Sequence, residues 1–288
     1  MRIVNKCWAI LFLGLSLSLA SVFTLAQQVG GDVEVIVAPS YGAEDGNQES
    51  LYFKRLLHRA LQLTVPEYGE FELRLPEQLL VDNRLRVSVQ RGVVDVMWRN
   101  SVERADNGLL RVPVSLLGEL TQYRMLLVRE RDLPLYTDPL ALSDLRQRVA
   151  GVGAQWPDVK VLAHNQLPYV TATGYHPLFR MLAADRFDYF PRGIYQVRGE
   201  IEQYPELDLA MVPNLVLSYP NDVYFYVSPD NPKLAKRLTL GLERAQRDGS
   251  LDALIDEFDR LRWAKEQISR ADWQVIYLDS PLPAPQRR

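Results

Sequence analysis

The chain has 288 residues, 47% hydrophobic and 24% charged, an ordinary globular mix with room for one large domain or two smaller ones. Its formal net charge of -3 gives no basic footprint for nucleic acid. No long run of one charge sign marks a polyanion-binding arm or a solvated tail.

The first 26 residues differ from the rest. Arg2 and Lys6 form a basic start, and "CWAILFLGLSLSLASVFTLA" then runs to Ala26 without a charge. Small residues at Thr24 and Ala26 suit a signal peptidase, so residues 1–26 read as a cleaved signal peptide and the remainder as a periplasmic protein. An uncleaved anchor is the rival reading, since the run is long enough to span a bilayer. Cleavage removes Cys7, the only cysteine, so no disulfide is expected.

"DVEVIVAPS" (32–40) reads as a strand. "ESLYFKRLLHRALQLT" (49–64) steps its apolar doublets by four and reads as a helix. "GEFELRLP" alternates as a strand, "QLLVDNRLRVSVQRG" is a helix closed by Gly92, and "VVDVMW" is a strand. This β-α-β-α-β order implies a mostly parallel sheet with helices on its faces. Further strands are expected at "QYRMLLVRE", "VAGVG", "FDYF", "LDLAMVP" and "DVYFYVS", with a short helix at "PLFRMLAADR". The C-terminal part reads as helical: Pro232 opens one helix, Gly249 stops it, and Ser250 caps the next. In that second helix Leu251, Leu254, Ile255, Phe258 and Leu261 share a buried face. A Pro-rich tail follows.

Several chemistries lack their motif. There is no G-x-S-x-G and no Walker A, and Gly151-Val152-Gly153 is not a dinucleotide fingerprint. The three histidines have no metal-ligand spacing, so neither a metal nor a cofactor is expected. His58 reads as a packed or surface residue and His176 as a helix-start cap. Carboxylates are scattered and read as solvated surface.

Four segments resemble the family-3, polar amino acid type of periplasmic solute-binding protein. "QRGVVDVMW" resembles its L-x-x-G-x-x-D segment, and "SVERADNGLLRVPVS" its T-x-x-R segment, with Ser101 and Arg104 at the key positions. "LSDLRQRVAGVG" is similar to D-L-K-G-K-x-V-G-V, with Gln147 in place of the glycine. "RDGSLDALIDEF" is similar to the G-T-x-x-x-I-x-x-x-W segment near the end. The resemblance implies an α/β, two-lobed type II periplasmic-binding fold. Each lobe is a mixed sheet flanked by helices, and two crossing hinge strands join them. Lobe 1 would be 31–118 plus 224–288, and lobe 2 would be 119–223.

The resemblance also implies a ligand clamped between the lobes, with Arg104 forking onto a carboxylate. Read alone, Arg104 fits equally a surface arginine at a helix start. The family's amine-binding aspartate is missing: five residues after Asp188 stands Gly193, with Arg192 beside it. Arg104 and Arg192 together point to an anionic solute, such as an organic acid. Tyr41, Trp98, Trp156 and Tyr189 join them as candidate cleft aromatics, each of which partial burial would explain equally well. Phe187 and Phe190 are expected to pack inward, and Pro191 to end the strand.

The expected function is a non-enzymatic, monomeric solute-binding protein that delivers a small molecule to an ABC permease. One alternative is a ligand sensor acting on a separate membrane partner. Another is a lyase of the cyclohexadienyl dehydratase type, for which Glu103 or Glu200 could serve as the carboxylate. Fold analogy does not separate these.

Overall fold

The computed structural model describes residues 33–39, 48–75, 82–100, 108–136, 139–270 and 272–281. The segment read as a signal peptide, Tyr41, Ser101, Glu103 and Arg104 lie outside them. Strand β1 (Glu34–Val37) leads to helix α1 (Gln48–Gln62), whose buried face holds Tyr52, Phe53, Leu56, Leu57, Ala60 and Leu61. After the single turn α2 (Val65–Tyr68), β2 (Phe71–Arg74) pairs with β1 in parallel. Helix α3 (Asp82–Gln90) and strand β3 (Val96–Asn100) follow as expected. The Asp95 N–H donates to Val37 O (2.9 Å), and Asp95 Oδ2 accepts the Val37 N–H (2.7 Å), tying β1 to the start of β3.

The short β4 (Leu110–Arg111) precedes the long apolar β5 (Tyr123–Arg129). Then come α4 (Leu142–Leu145), β6 (Ala150–Gly153), α5 (Asp158–His164), β7 (Tyr169–Ala172) and α6 (His176–Ala183). Strand β8 (Phe190–Gly193), α7 (Val197–Gln203), β9 (Leu209–Ser218) and β10 (Val223–Val227) complete the middle of the chain. Two sheet systems result. In one, β10 pairs antiparallel with β3 and β4. In the other the order is β11-β9-β5-β8, where β11 is Gln274–Tyr277, and the parallel pair β6-β7 meets β8 through an Ala150–Tyr189 bridge.

Three expectations change here. Strand β3 departs from the mostly parallel order expected for 32–98: β1 and β2 pair in parallel, but the neighbour of β3 is β10, which arrives antiparallel from far along the chain. Pro191 does not end its strand. Ile194 N–H donates to Tyr123 O, so by antiparallel alternation the Pro191 nitrogen points away from β5 and toward β6, where the missing N–H stops the parallel pairing at the single Ala150–Tyr189 bridge while the β5 ladder continues. Strand β11 falls in the C-terminal part that reads as helical, just before the Pro-rich tail, and it joins the sheet of β9 rather than the first sheet system.

The C-terminal helices follow the apolar periodicity with a break. Helix α8 (Pro232–Arg247) starts at the expected proline, with Asn231 Oδ1 accepting the Leu234 N–H. Gly249, at φ 76°, is the cap of α9 (Ser250–Asp256), and Ser250 is the first helical residue rather than the cap. The expected single helix is two, because Phe258 is extended (φ -104°, ψ 112°) before α10 (Asp259–Ile268). Leu251, Leu254, Ile255, Phe258 and Leu261 are nevertheless all buried.

Between β4 and β5, and between β9 and β10, the chain crosses twice between the two sheet systems. The crossings are tied together at Asp222. Its Oδ1 accepts from Ser115 Oγ (3.1 Å) and Thr121 Oγ1 (3.2 Å), and its Oδ2 accepts from Tyr224 Oη (3.1 Å). Burial raises the Asp222 pKa, and these three hydroxyls oppose the rise.

Candidate functional site

Open α/β sheets place ligands at the carboxyl ends of their strands. Here the chain leaving β6 carries Trp156, and the turn leaving β8 carries Tyr195 and Gln196. Arg192, on β8, is 6% exposed and extends its guanidinium between these two ends. Its Nε donates to both Glu200 oxygens at 2.9 Å, and its Nη2 donates to Glu200 Oε1 (2.6 Å) and Gln196 Oε1 (3.1 Å). The guanidinium carbon lies 4.8 Å from the ring centres of Trp156 and Phe190 and 5.4 Å from that of Tyr175. Glu200, near the start of α7, also accepts from Tyr175 Oη at 2.7 Å. Burial opposes the charge on Arg192, but the Glu200 carboxylate outweighs it and holds the arginine's pKa above its ordinary value.

A second buried arginine stands near. Arg124 donates to Thr121 O (2.6 Å) and to Asp158 Oδ1 (3.3 Å), and lies over the Tyr219 ring at 5.1 Å. Tyr219 Oη donates to the same Asp158 oxygen.

The network continues to α1. Gln196 Nε2 donates to Glu49 Oε2 at 2.9 Å. A side-chain carbon on Gly193 would stand 2.9 Å from Gln196 Oε1, so the glutamine covers the face where the resembled family carries its aspartate. Burial raises the Glu49 pKa, the Gln196 hydrogen bond and the two arginines lower it, and Glu200 raises it again; the result is about 6.

Of the residues singled out from sequence, Trp156 and Arg192 come together here. Trp98 does not: it is buried against Phe53 and Phe225 in the core of the first sheet system. Tyr189 is fully buried among Leu126, Val152 and Val212 rather than at a rim, because the residue next to an inward-facing Phe190 also meets β6 through its backbone. His176 does not cap α6; its ring pairs with Tyr204 Oη and packs against Tyr175. Sequence reading missed Glu49, Arg124, Asp158, Tyr175, Gln196 and Tyr219. Arg124 alone carried a signal, a charge inside an apolar strand. Glu200 was considered as a lyase carboxylate, whereas here it is the acceptor for Arg192. Among the described residues no His/Cys/Asp/Glu group could hold a metal ion, and no helix is long and apolar enough to cross a membrane.

No protein-family model matches the chain, and no curated protein matches it. Solved structures do. An ancestral arginine-binding protein bound to arginine superposes with a TM-score of 0.54 at 14% identity, over 79% of this chain and 98% of that one. A histidine kinase sensor domain similar to periplasmic binding proteins gives a TM-score of 0.55 at 18% identity, over 79% and 96%. A structure from work on glutathione import by GshT and the cystine ABC importer of Streptococcus mutans gives 0.55 at 12%, over 78% and 95%. The chain thus has the two-lobed, type II periplasmic-binding fold.

Proposed function

We propose that this protein is an exported, non-enzymatic receptor that closes its two lobes on a small polar solute and hands it to an ABC importer. The first lobe is residues 33–118 with 224–270. The second is 119–223, with 272–281 added by the pairing of β11. The observation that carries the reading is the Gln196–Glu49 hydrogen bond, which spans from the turn after β8 to α1 over the place where this fold takes its ligand.

Glu200 supports a binding rather than a catalytic role, since both its oxygens accept from Arg192 and neither is placed for proton transfer. The anionic solute expected from Arg104 and Arg192 loses the support of Arg192, whose charge Glu200 already compensates.

A thermal-shift screen of the purified protein against small polar metabolites tests the reading. At least one solute is expected to raise Tm in a concentration-dependent way, because binding to the native state alone stabilises it by mass action. A flat response across the screen would overturn the receptor role in favour of action through protein contact. Loss of uptake of that solute in a deletion strain would distinguish delivery from sensing.

A further inference from the structure

Helix α7 and the turn that leads into it reach α10 and α1. Arg198 and Glu202 stand one helical turn apart on α7, and Arg260 and Trp263 stand one turn apart on α10, so each pair shares a helix face. The two faces meet residue by residue. The Arg198 guanidinium carbon lies 5.1 Å from the centre of the Trp263 ring, and Arg260 Nη2 donates to Glu202 Oε2 at 2.7 Å. A side-chain carbon on Gly199 would run into the Arg260 guanidinium, so the glycine admits the arginine against the α7 backbone. The receiving surface is itself joined. The Arg260 N–H donates to Gln48 Oε1 at 3.3 Å, which fastens the first turn of α10 to that of α1. The next residue of α1, Glu49, is the one that accepts from Gln196.

We propose that this seam is a latch: it holds the two lobes together through the protein's own side chains, so that the protein rests closed and a solute enters through its minor, open form. This rests on the receptor reading above and adds how the cleft is gated. Neither the Arg198–Trp263 contact nor the Arg260–Glu202 pair uses a member of the Arg192–Glu200 network, so the seam forms with or without a solute in the cleft. An ion pair with a half-exposed carboxylate contributes little by itself. Here it acts on the same two helices as a guanidinium laid over a tryptophan, and the Gln196–Glu49 bond holds the adjoining turn. A closed resting form lowers the rate of solute entry in proportion to the fraction of molecules that are open. Because the same seam forms over a bound solute, it slows exit as well, and affinity changes little.

Small-angle X-ray scattering of the purified protein, refolded from urea to remove any co-purified solute, is the test. The native protein is expected to give the radius of gyration of the closed structure. Glu202→Arg sets two guanidinium groups against each other and should give a larger radius. Adding Arg260→Glu restores the pair with its charges exchanged and should return the radius to the native value. A native protein that is already expanded overturns the latch, and so does a Glu202→Arg protein as compact as the native one. Expansion that Arg260→Glu does not reverse overturns it too. Should Glu202→Arg fail to fold by circular dichroism, Arg198→Ala with Glu202→Ala removes the α7 half of both contacts and leaves a good helix former at each position. That variant is expected to expand, and a native radius would overturn the latch. No solute is added, so the latch and the receptor role are tested apart. An expanded native protein that still responds in the thermal-shift screen removes the latch alone. A compact native protein that opens on Glu202→Arg but gives a flat screen supports the latch and removes the receptor role.

Discussion

At Glu49 the environment favours the protonated acid. Its pKa rises from the usual 4.5 to about 6, chiefly through burial. The folded protein therefore holds this proton to a higher pH than the unfolded chain does. Stability that is complete below the unfolded value is lost as pH rises through the folded one, a penalty on the order of 2 kcal/mol near neutral pH. Glu49→Gln keeps an acceptor for Gln196 and removes the charge. It should raise Tm by several degrees at about pH 8 and leave it unchanged at about pH 4. Calorimetric scans of both proteins at both pH values check this, and an equal gain at acid pH would rule the carboxylate out as its source. Arg237, with no exposed surface, is held by Glu34, Thr64 and the Gly69 carbonyl beneath α1.

At the scale of elements, α8 packs closely on α1 at Gly241. A methyl group on Gly241 would stand 2.0 Å from the carbonyl oxygen of Ala60, inside contact distance of a backbone that cannot swing away. Gly241→Ala must part the two helices, which should cost about 1–3 kcal/mol. The expected result is a lower urea midpoint with an unchanged slope. Elements with a clear period were legible from sequence: the doublets of α1 and the alternation of β2 give α1 and β2 within two residues of the observed bounds. Strand β11 was not legible, because four residues beside a Pro-rich tail carry too little pattern, and their burial depends on β9 being ready to receive them. The break at Phe258 was hidden for the opposite reason, since the apolar stripe continues straight through it. At the site, Arg192 and Trp156 were legible as unusual residues at strand ends. Their partners were not, since Glu200, Gln196 and Glu49 reach them only through the β8 turn and the approach of α1.

For the molecule as a whole, the pairing of β3 with β10 and of β9 with β11 sets an order in time. β10 lies about 120 residues beyond β3, and a sheet closed over such a separation must meet a large loop-closure cost before its contacts form. A fragment of residues 33–222 lacks β10, the helix that packs on α1, and β11. It is expected to show no cooperative unfolding transition, whereas the chain through residue 281 does; far-UV circular dichroism against urea distinguishes them, and a sharp transition in the fragment would contradict this order. Because β11 is the last strand made and sits at the edge of the second sheet, that sheet cannot finish until almost the entire chain is available. The edge of the second sheet therefore stays open on β9 until residues 274–277 have been made.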